Sequence, residues 1–346
     1  MAVNDPFATA GRPEPKRDRY GRYMLTDPTT GKERAWQRTT TFTKMASDTF
    51  NLTQWAGRNI AKGLSLRPDL LALASTMDIK RDAKQLNALC EDAKEAAGAK
   101  TAANTGTALH AFTEAHDEDR HEAVPEMYRP RIRQYDQALK DHGITILPHM
   151  IERIVVSTRY DVAGTFDRVV GLDDGTNCMF DLKTGRDLSY GMNEIAIQLA
   201  CYTDGYNAHG VWDPDKGEWE MGHPFVRKDF ALVAHLPAAG DGCTLYKVDL
   251  QAGREGADLC AVIRDWRKRK NIGDVWEPQG ITSEDDQPTK EKWPLQEWPA
   301  SDWPGRILEA KSRKDLERIA AAARIAGEWD ADLRSLLLVQ LEQLSS

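Results

Sequence analysis

An acid and a base two residues apart close an apolar run in FDLKTG, residues 180–185. Side chains alternate along a strand, so Asp181 and Lys183 share one face while Phe180 and Leu182 share the other. A second acid, Asp167, lies in GTFDRV, upstream of a DDG turn at residues 173–175. A hairpin over that turn brings Asp167 to Asp181 and Lys183. Two carboxylates on one face make a hard-oxygen site suited to Mg²⁺ or Mn²⁺. A cation relieves their mutual repulsion, and the ammonium of Lys183 relieves more. Lys183 can position or deprotonate a water, or stabilise charge on a phosphorus centre. A solvent-facing Asp–Lys pair, worth little, has the same D-x-K spelling.

Two further pairs have helical spacing. His110 and Glu114 stand four apart in GTALHAFTEAHD, residues 106–117, and share a face. His110 can offer its imidazole to the same cation; a surface His–Glu pair would look alike. Gln198 and Tyr202 are also four apart, on the helix expected after the D-x-K strand. They can order water and hold a phosphate, or Tyr202 can be core in line with Ile195 and Leu199.

The elements that must position these residues follow from periodicity. Residues 39–63 have helical spacing with a break near 48–51, and a second helical region covers 68–97. Residues 106–117 form a helix capped by Asn104 or Thr105, and residues 125–142 form another. The stretch 150–183 is β-rich, with strands in IERIVVS, VAGTFDRVVGL and NCMFDLK. A helix over 190–207 follows, then strands over 230–236 and 245–250. A last helix over 251–270 ends in the basic run RDWRKRK. This order predicts an α/β fold with a mixed central sheet flanked by helices, rather than a repeated βαβ wheel. The expected organisation is a disordered N-terminus (1–20), a helical region (21–103), the core (104–271), a Trp/Pro-rich linker (272–305) and a helical tail (306–346). The tail's apolar stripe can pack on the core, bind a protein partner or self-associate.

Composition narrows the function classes. The chain has 346 residues with 46 Lys and Arg against 54 Asp and Glu, a net charge of −8. That excludes a nonspecifically sticky, histone-like DNA binder but leaves room for a local basic groove. No apolar run approaches a membrane span, and the N-terminus lacks a signal-peptide pattern, so a cytoplasmic location is expected. Five cysteines with no C-x-x-C form neither a disulfide framework nor a zinc ribbon.

Taken in order, Gly106, His110 and Glu114, then Gly164 and Asp167, then Asp181 to Gly185, then Gln198 and Tyr202, resemble the RecB-type branch of the PD-(D/E)xK nuclease superfamily. The resemblance covers residues 106–202 well and the flanks more loosely. It implies a restriction-endonuclease-like core. It also implies that His110, Asp167, Asp181 and the Leu182 backbone carbonyl hold Mg²⁺ or Mn²⁺. Lys183 would then be catalytic, Gln198 and Tyr202 would assist at the phosphate, and Glu114 would support His110. Some relatives carry an iron–sulfur cluster on one cysteine before the core and three after it. Here only Cys90 precedes the core, and only Cys243 and Cys260 follow it, seventeen residues apart, so no cluster is expected. No G-x-x-x-x-G-K-[ST] is present, so no ATP motor is expected. The chain therefore looks like a stand-alone, phage-type DNA exonuclease, working in a bacterial host cytoplasm if phage-encoded, on single- or double-stranded DNA ends. A structure-specific endonuclease with the same site, or a non-catalytic DNA-end or partner-binding module, are the alternatives. Candidate DNA contacts are Arg129, Arg131 and Arg133, Arg168 and Arg186, and Arg264, Arg267, Lys268, Arg269 and Lys270 of the basic run, which can equally be a solvated helix end.

Overall fold

A computed structural model describes residues 15–274, 302–325, 329 and 331–344. Residues 1–14 of the expected disordered N-terminus and 275–301 of the expected linker lie outside the described residues. Two compact units divide the chain, residues 1–264 and 265–346.

The first unit opens with a hairpin of β1 (Tyr23–Thr26) and β2 (Glu33–Arg38). Helices α1 (Thr39–Thr43), α2 (Phe50–Leu66), α3 (Pro68–Ala74), α4 (Ala83–Ala96), α5 (Ala99–Asp117) and α6 (Arg129–Asp141) follow. Then come β3 (Thr145–Ser157), β4 (Val162–Gly171), β5 (Asn177–Lys183) and helix α7 (Met192–His209). The unit closes with β6 (Val211–Asp213), β7 (Glu218–Glu220), β8 (Phe230–His235), β9 (Thr244–Asp249) and helix α8 (Leu250–Trp266).

The main sheet runs β7-β6-β3-β4-β5-β8-β9, with β2 joining β4. Most pairs are antiparallel, while β5–β8 and β2–β4 are parallel. The expected mixed α/β sheet is therefore present. Helices α5 and α6 cover one face, where Leu109, Tyr135 and Leu139 pack with Val170, Cys178, Phe180 and Leu182. Helix α7 covers the other, where Leu199 and Tyr206 meet Val155, Val169, Met179 and Val233. Alternation along β5 works as expected: Phe180 and Leu182 face α5 and α6, whereas Met179 faces α7.

Several boundaries differ from the sequence expectation. Residues 21–103 are not helical throughout. In β1 and β2, Tyr23, Leu25 and Trp36 are buried. Asp27 Oδ1 accepts the Thr29 and Thr30 amides, and Gly31 turns at φ 69°, which closes the hairpin. The end of the expected disordered segment joins in, because Arg17 bridges to Tyr23 and Asp18 accepts the Tyr20 and Arg22 amides. Helix α5 starts at Ala99 behind Gly98 (φ 83°), well before Asn104. Its first turns are alanine-rich, and that propensity carries the helix through residues read as a polar connection. Strands β6 and β7 were also unforeseen. Asp213 Oδ1 accepts two amides of their turn, and Trp212 packs edge-on to Trp219 at 5.1 Å.

The second unit holds α9 (Trp303–Glu309), α10 (Arg313–Ile325) and α11 (Ala331–Gln343) around Trp303, Ile307, Leu316 and Leu333. Among the described residues no helix is long and apolar enough to cross a membrane.

Candidate active site where two strands part

Strand β4 has β3 along one edge and shares its other edge between two partners. β5 pairs with it from Arg168↔Phe180 to Gly171↔Asn177. β2 pairs with it only at Val162 and Ala163. Residues 164–167 therefore have no strand partner on that edge among the described residues. Beyond Phe180, β5 stays with β8 through Asp181↔Val233 and Lys183↔His235. The two strands thus part at Asp167 and Asp181, and their divergence leaves a break, a crevice in the ladder, beside the two acids.

The Leu182 amide, which a continuing ladder would have used, donates instead to Asp167 Oδ2 at 2.7 Å. His110 reaches the same carboxylate from α5, with Nδ1 3.7 Å from Asp167 Oδ2. Lys183 Nζ lies 2.5 Å from Asp181 Oδ2, inside a side-chain environment where Asp181 is almost fully buried. The two form a close buried ion pair, and apart from Lys183 the Asp181 Oδ2 has no polar partner.

The motif glycines explain how the elements come so close. A Cβ at Gly106 would sit 2.5 Å from Thr184 Oγ1, so α5 rests directly on the chain just past β5. A Cβ at Gly164 would collide with the Tyr202 phenol, so α7 rests on the open edge of β4. Any side chain at either position would force Thr184 or Tyr202 to shift.

The charges beside the two acids act on one another. Burial raises the Asp181 carboxyl; Lys183 pulls it down and Asp167 pushes it up, leaving it near pKa 6. Burial also raises Asp167, but His110, Lys183, Arg168 and the Leu182 amide together hold it below the usual carboxylate range. Burial lowers Lys183, yet Asp181, Asp167 and Glu152 outweigh it, so the amine is an ammonium. Burial dominates at His110 and lowers it despite Asp167, leaving a neutral imidazole near pH 7. Burial pushes the Tyr202 phenol well up, with help from Tyr23, Asp181 and Asp167.

Two neighbouring carboxylates, a neutral imidazole, a buried carboxylate oxygen held by Lys183 alone and the Leu182 backbone fit a hard divalent cation. Among the described residues, however, no three His, Cys, Asp or Glu side chains are drawn together to hold a metal ion as they stand. Lys183 takes up the Asp181 oxygen that such an ion would need.

The other expected residues divide by position. Glu114 is buried one turn beyond His110. Tyr202 is 3% exposed within the α7 core cluster, so it meets the crevice from beneath, at Gly164. Gln198, half-buried, lies one turn before it. Arg168 is not a DNA contact. It is 1% exposed, its Nε donates to Asp117 Oδ2 at 2.5 Å, its Nη2 donates to Thr113 Oγ1, and it lies over the Tyr135 ring. An arginine sealed and paired in this way cannot reach a phosphate. Arg131 is largely committed as well, donating to the Pro237 carbonyl at 2.6 Å. Arg129, Arg133 and Arg186 are exposed, and Arg129 pairs with Glu126. Arg264 donates to the Tyr160 carbonyl at 2.6 Å. Arg267 and Arg269 are exposed and belong to the second unit, past the end of α8.

Two residues near the site escaped the sequence reading. Asp117 anchors Arg168, and its spacing of seven from His110 places it on the same helical face, a signal that was available. Glu152 acts electrostatically on Lys183 from β3, and nothing in IERIVVS marks it.

No curated protein matches the chain. Residues 69–330 match the family pattern of the PD-(D/E)XK nuclease superfamily, a span that takes in most of the chain and every motif of the crevice. With β3 to β9 and the acid–acid–lysine cluster in that match, the chain belongs to the PD-(D/E)XK nuclease superfamily.

Proposed function

We propose that this protein is a Mg²⁺- or Mn²⁺-dependent deoxyribonuclease that hydrolyses phosphodiester bonds from the ends of linear DNA. The observation that carries the proposal is the crevice itself: Asp167, Asp181 and Lys183 converge where β4 and β5 part, with His110 3.7 Å from Asp167. Exonuclease action, and a place in phage replication, recombination or repair, rest on the likeness of the ordered motifs to RecB-type nucleases.

Asp167, Asp181, His110 and the Leu182 carbonyl would hold the cation. A divalent ion bound there supplies Lewis-acid activation of water and charge relief at the phosphate. His110, neutral near pH 7, offers a lone pair without first losing a proton. Lys183, held as an ammonium, cannot begin by accepting a proton, so its part is to stabilise negative charge gathering on the phosphate. Tyr202, held neutral, supports the floor of the crevice and can donate its hydroxyl. Gln198 lies one turn away on the same helix, toward the solvent side.

The test is cleavage of end-labelled linear DNA, single- and double-stranded, beside covalently closed circles, with Mg²⁺, Mn²⁺ or EDTA. Metal-dependent loss of linear DNA alone, abolished by Lys183→Ala, is expected. Cutting of closed circles would make the enzyme an endonuclease. DNA binding without cleavage under either metal would make it a binding module.

A further inference from the structure

Four non-glycine residues among those described have positive φ, and Glu152, at 51°, is the one that lies within a strand. An L-residue adopts that conformation at a cost, and it persists where the surroundings fix it, often at working sites. The flanking pairs Ile151↔Arg168 and Arg153↔Phe166 place Glu152 opposite Asp167. Asp167 in turn lies one step beyond the Arg168↔Phe180 pair, opposite Asp181. Three acids therefore form one row across β3, β4 and β5.

The strands are irregular at that row. Phe166 packs edge-on to Tyr206 of α7, whereas Arg168, two residues on, reaches Thr113 and Asp117 of α5. A regular strand would send both to one face. The chain crosses over at Asp167, directly beside the left-handed Glu152. The charge of Glu152 is felt at Lys183.

Lys183 Nζ now stands on Asp181 Oδ2, the oxygen that a cation would use. An ammonium held against that oxygen repels an incoming divalent ion and stands in its way. We propose that Glu152 is a positioning residue that receives the displaced ammonium of Lys183 when a cation binds Asp181, keeping it beside the two acids. This rests on the nuclease function proposed above. Glu152 then acts on cation binding only through Lys183.

A double-mutant cycle on Mn²⁺ binding, followed by electron paramagnetic resonance on the full chain without DNA, tests this. Glu152→Gln should weaken Mn²⁺ binding about tenfold, as loss of an outer-shell partner does. Lys183→Ala should bind at least as well as the wild type. In the Lys183→Ala background, Glu152→Gln should have no effect, because no ammonium remains to be housed. An equal loss in both backgrounds would make Glu152 a direct ligand and overturn the proposal, as would no loss in either. If Glu152→Gln fails to fold, Glu152→Asn removes the charge with a residue that tolerates positive φ. Wild-type protein that binds no Mn²⁺, or Asp181→Asn that binds it as well as wild type, would instead overturn the metal site itself.

Discussion

The Leu182 amide donates a 2.7 Å hydrogen bond to Asp167 Oδ2, so the first acid of the crevice also pins the strand that carries the second. Asp167→Asn keeps an acceptor at that position and Asp167→Ala does not. Both should lose Mn²⁺ binding and cleavage. Only Asp167→Ala should also lose stability, by about 1–2 kcal/mol for the orphaned buried amide. Thermal melts beside metal titrations separate the two effects.

Asp181 is a buried charge facing another. Asp181→Asn should abolish metal-dependent cleavage while stabilising the cation-free protein above pH 6. The gain should be on the order of 1–2 kcal/mol, a few degrees in Tm. A lower Tm at pH 8 would show that the carboxylate is structural.

The Asp181 carboxyl titrates near 6, above its unfolded value, so the folded state binds its proton more tightly. Its share of cation-free stability is therefore present at acid pH and lost as pH rises from about 4 toward 6. Cation binding runs the other way, because proton and metal compete for the same oxygens. Mn²⁺ affinity should fall steeply as pH drops below 6, while Asp181→Asn should bind weakly at every pH and show little of that dependence.

Arg168 and Asp117 form a buried pair, 1% and 2% exposed at their side chains. Arg168→Met should cost about 3–5 kcal/mol in urea unfolding, since it leaves Asp117 charged and buried without its partner. Arg168→Met with Asp117→Leu should recover much of the loss. DNA affinity of the folded variants should match wild type.

Gly164→Ala should displace the Tyr202 ring from the open edge of β4 and cost about 1–3 kcal/mol. Cleavage should fall further than the stability loss explains, which assays well below the variant's Tm would reveal.

The hairpin that brings Asp167 to Asp181 was legible because alternation and the DDG turn are local features of the chain. The helical placement of His110 and Glu114, and of Gln198 and Tyr202, was legible from spacing. The environment of Arg168 was not, because its exposure depends on a crossing of faces at Asp167 that alternation does not foresee. Glu152 was invisible for the same reason: its place in the row depends on the registers of three strands. The β1–β2 hairpin was missed although Tyr23, Leu25 and Trp36 fit its pattern, since short strands carry little periodic signal.

The parallel pairing of Lys183 with His235 has a bearing on synthesis. The lysine's strand gains its outer neighbour only after about fifty more residues have been made. A ribosome-bound chain that ends before β8 would have both acids and the lysine but no second edge to hold their strand. The candidate site should therefore assemble late in translation, after β8 has left the ribosome.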